Sequence, residues 1–319
     1  MKLVVLERNS VGTDIDVSSF EQFGEVTYYK NTVKENVEEH VGDAEIIIAN
    51  KAPMNEETLH NCPNVKMICE FATGFDNVDL EYCRKRGIAV TNVVDYCTAS
   101  VTQHTFAMAL FLFEKLHYYD NYVKSGAYGA QDRFSNFDRR FYELEGKTWG
   151  IIGLGNIGKK VASIAKAFGC RVIYYSVTGK NACEDYDKVS LETLLTESDI
   201  LSIHCPLSDL TRNIIDKEAL SKMKSSSILI NVARGAVVNN ADLAWALDEN
   251  VIAGAGLDVL DGEPIRDTNP LNDIKDSEKL IITPHMAWGS VEARTRIVEA
   301  ACENIRAFLN GDRRNRVDL

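Results

Sequence analysis

The chain has 319 residues, more than one ordinary core accommodates, so two domains are expected. Hydrophobic residues make up 45% and charged residues 26%, the mix of a globular protein. A formal net charge of −12 repels phosphate backbones and anionic lipid heads, which argues against nucleic acid and membrane as partners and leaves a small molecule.

The eight cysteines (Cys62, Cys69, Cys83, Cys97, Cys170, Cys183, Cys205, Cys302) never stand at C-x-x-C spacing, and most lie in apolar runs. Reduced, buried thiols are expected, with no metal site. The opening run Lys2-Leu3-Val4-Val5-Leu6 reads as a strand and lacks a small-residue cleavage site. The longest apolar run, 106–113, falls far short of the ~18 residues that a membrane-spanning helix needs. A cytoplasmic protein is expected.

In chain order, strands are predicted at 2–7, 44–50, 65–71 and 87–93, with a charged helix at 80–86. Short apolar runs separated by helical segments indicate a parallel sheet. One long buried helix is predicted from residue 100 to about 123, then a loop rich in aromatics and charges at 126–146. A second strand–helix series follows, with strands at 147–154, 170–176, 200–205, 227–232, 252–259 and 280–285. The tail, 291–311, is an amphipathic helix with Gly311 as its stop. It has no strand after it, so it is expected to return to the N-terminal lobe. The expected architecture is α/β with two doubly wound parallel-sheet domains. A domain at 100–289 is inserted in a discontinuous one made of 1–99 and 290–319.

Residues 153–158, Gly-Leu-Gly-Asn-Ile-Gly, directly follow a predicted strand and open a predicted helix, the context that a dinucleotide fingerprint requires. Gly153 serves the tight turn, Gly155 the backbone approach to a pyrophosphate, and Gly158 the packing of helix on strand. The helix N-terminus then presents free N–H groups to the phosphates. The acidic residue expected about 20 residues further on is missing; Ser176 stands there, with Thr178 and Lys180 after it. These side chains can donate to a 2′-phosphate, or Ser176 can bond an NAD ribose, so NAD and NADP both stay open.

Three residues follow late strands: Arg234 in Asn-Val-Ala-Arg-Gly, Glu263 in Gly-Glu-Pro and His285 in Thr-Pro-His-Met-Ala-Trp. Reducing a 2-keto acid needs a donor fork for the carboxylate and keto oxygen, which Arg supplies. It needs a proton source that titrates near neutrality, which His supplies. A carboxylate beside the imidazole favours its charged form and holds its tautomer.

With these motifs the chain resembles the D-isomer-specific 2-hydroxyacid dehydrogenase family, in its glycerate dehydrogenase/hydroxypyruvate reductase branch. The likeness runs through ATGFDNVD (72–79), SVTQHTFA (100–107), LEGKTWGIIGLGNIG (144–158), HCPL (204–207), NVARG (231–235), GLDVLDGEP (256–264) and TPHMAW (283–288). The resemblance implies a Rossmann cofactor domain set in a flavodoxin-like substrate domain. It implies that Arg234 binds substrate, His285 is the acid/base and Glu263 supports it. Asp258 meets the nicotinamide carboxamide. Thr102, Gly153, Gly155, Asn156, Ile157, Gly158, Ser176, His204, Cys205, Pro206, Thr211, Val232, Ala233 and Ala287 line the cofactor. The backbone at Thr73 and Gly74 receives the substrate carboxylate, with Lys51 near it and Trp288 in the pocket.

The D configuration is likewise implied by the family. Trp288, Phe134 and Phe137 suggest a small pocket, fitting hydroxypyruvate or glyoxylate. The same aromatics also suit a phenylpyruvate-like side chain or a subunit interface. A non-catalytic dinucleotide-sensing protein is the rival from another class, because fold alone does not decide activity. A homodimer is expected from the family and from the apolar helix at 103–119.

Overall fold

The computed structural model describes residues 1–179 and 183–319. The chain divides into two compact units, Met1–Cys97 with Trp288–Leu319, and Thr98–Ala287.

The first unit is built on β1 (Lys2–Val5), β2 (Glu25–Tyr28), β3 (Ile46–Ala49), β4 (Met67–Glu70) and β5 (Ala89–Thr91). They form one parallel sheet in the order β2-β1-β3-β4-β5, the flavodoxin-like order. Every residue of β3 and β4 is buried, as expected of strands covered on both faces. Edge strand β2 alternates exposed and half-buried residues and was not expected from sequence, being short and half polar. The helices here are α1 (Val37–Val41), α2 (Glu56–Leu59) and α3 (Leu80–Arg86). α3 occupies the predicted residues because its ends are marked: the Asp79 carboxylate accepts from Tyr82 N–H, and Gly87 takes a left-handed turn (φ 69°).

The second unit opens with α4 (Thr98–Phe113), α5 (Leu116–Lys124) and α6 (Ala127–Ala130). The single helix expected over 100–123 is therefore two. α4 buries Val101, Thr105, Phe106, Met108, Ala109 and Leu112, whereas α5 buries nothing. The chain turns at Lys115 (φ 57°), where the core covered by the helix ends. The apolar face of α4 is thus consumed within its own unit. The uncovered apolar residues come later: Phe134 is 92% and Phe137 74% exposed, with Phe141 and Tyr142 also exposed. Phe134 and Phe137 are thus not enclosed by the chain itself.

Then follow β6 (Thr148–Ile152), α7 (Asn156–Ala167), β7 (Arg171–Tyr175), β8 (Asp187–Lys188), α8 (Leu191–Glu197), β9 (Ile200–Ile203), α9 (Lys217–Lys222), β10 (Ile228–Asn231), α10 (Asn240–Asp248), β11 (Gly254–Leu257) and β12 (Leu280–Ile282). The seven strands are parallel in the order β12-β11-β10-β9-β6-β7-β8. Strand order reverses between β6 and β9, which is where a Rossmann sheet opens its ligand crevice, at the carboxyl ends of the strands. Only the two-residue β8 was not expected from sequence.

The last helix, α11 (Val291–Leu309), belongs to the first unit. Ser290 caps it through Ala293 N–H. Ala293, Ile297, Val298, Ala301, Cys302 and Ile305 form its buried stripe, which packs on β4. Beyond it, Val317 N–H donates to Val90 O at 3.0 Å and the Asp318 carboxylate accepts from Val90 N–H at 2.9 Å, tying the tail to β5. No helix among the described residues is long and apolar enough to cross a membrane.

Candidate active site

β10, β11 and β12 are consecutive neighbours in the second sheet, with Asn231, Leu257 and Ile282 in register at their carboxyl ends. Arg234, Glu263 and His285 lie on the loops that leave these three ends. His285 Nδ1 and Glu263 Oε2 are 2.7 Å apart, and Glu263 Oε1 accepts from Leu260 N–H at 2.9 Å. The Arg234 loop abuts the same turn: a Cβ on Gly235 would fall 1.8 Å from the carbonyl carbon of Leu260, so only glycine fits there. The structure thus brings the three predicted residues to one edge of one sheet.

Two buried side chains hold this geometry. Asn231, fully buried, donates through Nδ2 to Arg234 O (3.0 Å) and accepts at Oδ1 from Ala233 N–H (3.1 Å), closing the Arg234 turn. Asp258 fastens the His285 loop. Its Oδ1 accepts from the Thr283 hydroxyl (2.6 Å) and Met286 N–H (2.8 Å), and its Oδ2 from Ala287 N–H (2.8 Å). Asp258 O accepts from His285 N–H at 2.8 Å, and His285 takes a left-handed backbone (φ 53°). His104 Nε2 lies 2.9 Å from the Thr283 hydroxyl. Sequence reading gave no role to Asn231, His104 or Thr283, because a strand-end Asn or Thr, or a His within α4, announces none until its partners are known.

The phosphate turn has the shape that a dinucleotide needs. Gly153 has φ 92° after β6, and a Cβ on Gly158 would sit 2.2 Å from Gly153 O, so α7 packs flush on its strand. Gly155 has open space where a side chain would be, and it starts α7 without a side-chain cap. Asn156 and Ile157 follow in the first turn of α7, the end of a helix that favours an anion.

Among the buried polar atoms left without a partner in the described residues are Thr102 Oγ1 and His204 Nδ1. Both residues were predicted to line the cofactor. Burial pushes the His204 imidazole down to about 3, so it is neutral. Its Nε2 lies 3.0 Å from the Ser202 hydroxyl, which also receives the Trp149 indole N–H at 2.9 Å. Open space at Gly155, the N-terminal end of α7 and the unmet polar atoms of Thr102 and His204 fit a dinucleotide.

Other predicted cofactor residues divide. Val232, Ala233 and Pro206 leave the ends of β10 and β9. Cys205 is buried, which pushes its thiol up to about 11. Thr211 is buried and its hydroxyl is committed to its own loop, donating to Pro206 O (2.8 Å) and accepting from Ser208 N–H (2.7 Å). Ala287 is buried, with its N–H on Asp258. Ser176 is buried just after β7, while Thr178 is exposed; Lys180 lies outside the described residues.

The remaining predicted residues lie in the first unit. Lys51 follows β3, and its N–H donates to Glu7 Oε2 at 2.8 Å, as does Asn50 N–H at 2.7 Å. Thr73 and Gly74 follow β4. The Thr73 hydroxyl donates to Val93 O and Thr73 O accepts from Asn92 Nδ2, both at 2.8 Å. Trp288 is half-buried, edge-on to Tyr96 with ring centres 6.2 Å apart.

Residues 106–287 match the model of the D-isomer specific 2-hydroxyacid dehydrogenase NAD-binding domain. The chain is 37% identical over 317 residues to a hydroxypyruvate reductase of Blautia hydrogenotrophica, covering 98% of both chains. It is 39% identical to a glycerate dehydrogenase of Methylorubrum extorquens, covering 99% of both. A D-lactate dehydrogenase of Aquifex aeolicus, solved with NAD and lactic acid, superposes with a TM-score of 0.87 at 31% identity, over 100% of this chain and 99% of that one. The chain is a member of the D-isomer specific 2-hydroxyacid dehydrogenase family, the oxidoreductases that use NAD to interconvert 2-hydroxy and 2-keto acids.

Proposed function

We propose that the chain reduces a small 2-keto acid, hydroxypyruvate first and glyoxylate second, to the D-2-hydroxy acid with NADH or NADPH. The supporting observation is the 2.7 Å contact of His285 with Glu263, on loops that adjoin Arg234 at the carboxyl edge of β10, β11 and β12. The two relatives described by their names as hydroxypyruvate reductase and glycerate dehydrogenase favour that substrate.

In this reading Arg234 grips the substrate carboxylate and polarises the keto oxygen with its planar fork. Glu263 accepts from Nδ1–H of His285, which fixes the tautomer and leaves Nε2 for the substrate. Nε2–H then gives its proton to the keto oxygen; in the reverse direction neutral Nε2 takes the proton back. The bound nicotinamide supplies the hydride chemistry. Thr98–Ala287 is the cofactor unit. The 153–158 turn and α7 hold the pyrophosphate, and Ser176 holds the adenosine ribose or its phosphate. Thr102, His204, Cys205, Pro206, Thr211, Val232, Ala233, Asp258 and Ala287 serve the rest. In the other unit, Lys51 and the backbone of Thr73 and Gly74 receive the carboxylate, and Trp288 bounds the substrate.

A panel of 2-keto acids run with NADH and with NADPH tests the proposal. Hydroxypyruvate is expected to give the highest kcat/KM, with both cofactors accepted. A flat nicotinamide absorbance with every keto acid would sink the enzyme reading, and preference for phenylpyruvate would overturn the small pocket. Ser176→Asp is expected to lower kcat/KM with NADPH about tenfold or more while sparing NADH, because a carboxylate repels the 2′-phosphate.

We also propose a homodimer that covers the exposed apolar residues between Leu116 and Tyr142. Sedimentation is expected to show a dimer that the double variant Phe134→Asp, Phe137→Asp converts to monomer. A monomeric parent protein would refute it.

A further inference from the structure

The first unit holds an ionisable group that the steps above do not use. Glu70, the last residue of β4, is fully buried. Its Oε1 accepts from Asn77 Nδ2 at 3.1 Å, and its Oε2 has no hydrogen-bond partner among the described residues. Burial is the main cause that raises this carboxyl to about 8. The Glu7 carboxylate adds to the rise, while Asn77 and the Lys51 ammonium oppose it. These are the charged groups that act on it from the segments following β1 and β3; on its own strand, its charge in turn raises the Cys69 thiol.

Its position connects two loops. Asn77 Nδ2 also donates to Ala52 O at 2.9 Å. Met54 N–H donates to Asn77 O (2.9 Å) and Asp79 N–H to Met54 O (2.8 Å). The Lys51 turn is held on its other side by Glu7 Oε2, which accepts from the N–H groups of Asn50, Lys51 and Ala52. Glu70 therefore lies beneath the clamp that joins the turn at 50–54 to the loop at 72–79. Those are the segments assigned above to the substrate carboxylate.

We infer that Glu70 is a positioning residue whose proton is part of substrate binding: the keto-acid anion binds the protein in which Glu70 is neutral. The inference rests on the reading that Lys51, Thr73 and Gly74 receive the carboxylate. Ionised Glu70 places a second negative charge beside Glu7 at this turn. It also leaves a buried carboxylate with one donor, which pulls on Asn77 and Lys51. Both effects oppose an arriving anion. By linkage, the anion that prefers the neutral form draws a proton onto Glu70 when the surrounding pH exceeds its titration point.

The test uses oxamate, a 2-keto acid analogue that cannot be reduced, titrated into NADH-loaded protein. Calorimetry in buffers of different ionisation enthalpy counts the protons taken up. At about pH 9, Glu70→Gln is expected to take up about one proton fewer than the parent protein. In parallel, KM for hydroxypyruvate is expected to rise about tenfold more steeply between about pH 7 and 9 in the parent than in Glu70→Gln, with kcat following the same profile in both. A support that never changes its charge would move neither readout. Equal proton uptake in the two proteins, or no oxamate binding, overturns the inference. Should the variant fold poorly, the parent alone decides: a protonated-carboxyl infrared band that is weak in the NADH-loaded protein at about pH 9 and grows on adding oxamate is expected, and no growth overturns the inference. If no keto acid is reduced, the functional reading fails, and the oxamate proton count still decides the role of Glu70.

Discussion

His285→Gln is expected to lower kcat for keto-acid reduction by about 10²–10⁴, the range for removing a positioned general acid. Glutamine keeps a donor of similar reach but cannot release a proton to the forming alkoxide. NADH binding, read by nicotinamide fluorescence, is expected to stay within about twofold, because the phosphate turn lies on β6 and α7, away from β12 in the strand order. Glu263→Gln is expected to cost less, since the amide still accepts from Nδ1–H but no longer offers charge to the imidazolium. The glutamine at 285 also keeps the loop in place, because Asp258 accepts from the backbone N–H groups of residue 285, Met286 and Ala287 and from the Thr283 hydroxyl, none of them in the substituted side chain. Retention of more than about a tenth of the parent kcat in His285→Gln would remove it as the proton donor.

Arg234→Lys is expected to lower kcat/KM by about 10²–10³, or ~3–4 kcal/mol of transition-state stabilisation. The lysine keeps the charge but replaces a planar fork with a single point of donation, so one of two charge-assisted bonds and the alignment of the keto group are lost. KM is expected to rise and kcat to fall together, since the fork acts on both carboxylate and keto oxygen. The melting temperature is expected to move little: Asn231 closes the turn through backbone atoms of Ala233 and Arg234, and the bond the guanidinium adds to Ala233 O, at 2.9 Å, is a donation that a lysine ammonium also offers. An Arg234→Lys enzyme within threefold of the parent would exclude Arg234 from the substrate.

Much of the fold was legible because its signals are local. Buried parallel strands such as Ile46–Ala49 read as continuous apolar runs, and α3 was bounded by Asp79 and Gly87. The break at Lys115 was not legible, because the apolar pattern continues through it and only the extent of the core below α4 ends the helix. β2 was missed since an edge strand needs little apolar content.

At the site, the sequence by itself determined which chemical groups are present and that each follows a strand: the glycine turn at 153–158, Arg234, Glu263 and His285. Periodicity and motif order carry that much, since they depend on neighbours along the chain. Only the tertiary structure decided that β10, β11 and β12 lie side by side, that Asn231 and Asp258 hold the Arg234 and His285 loops, and that Glu70 is enclosed with one donor. The reason is physical: pairing, burial and the count of hydrogen-bond partners depend on groups distant in sequence, and a buried carboxylate looks in the sequence like any exposed one.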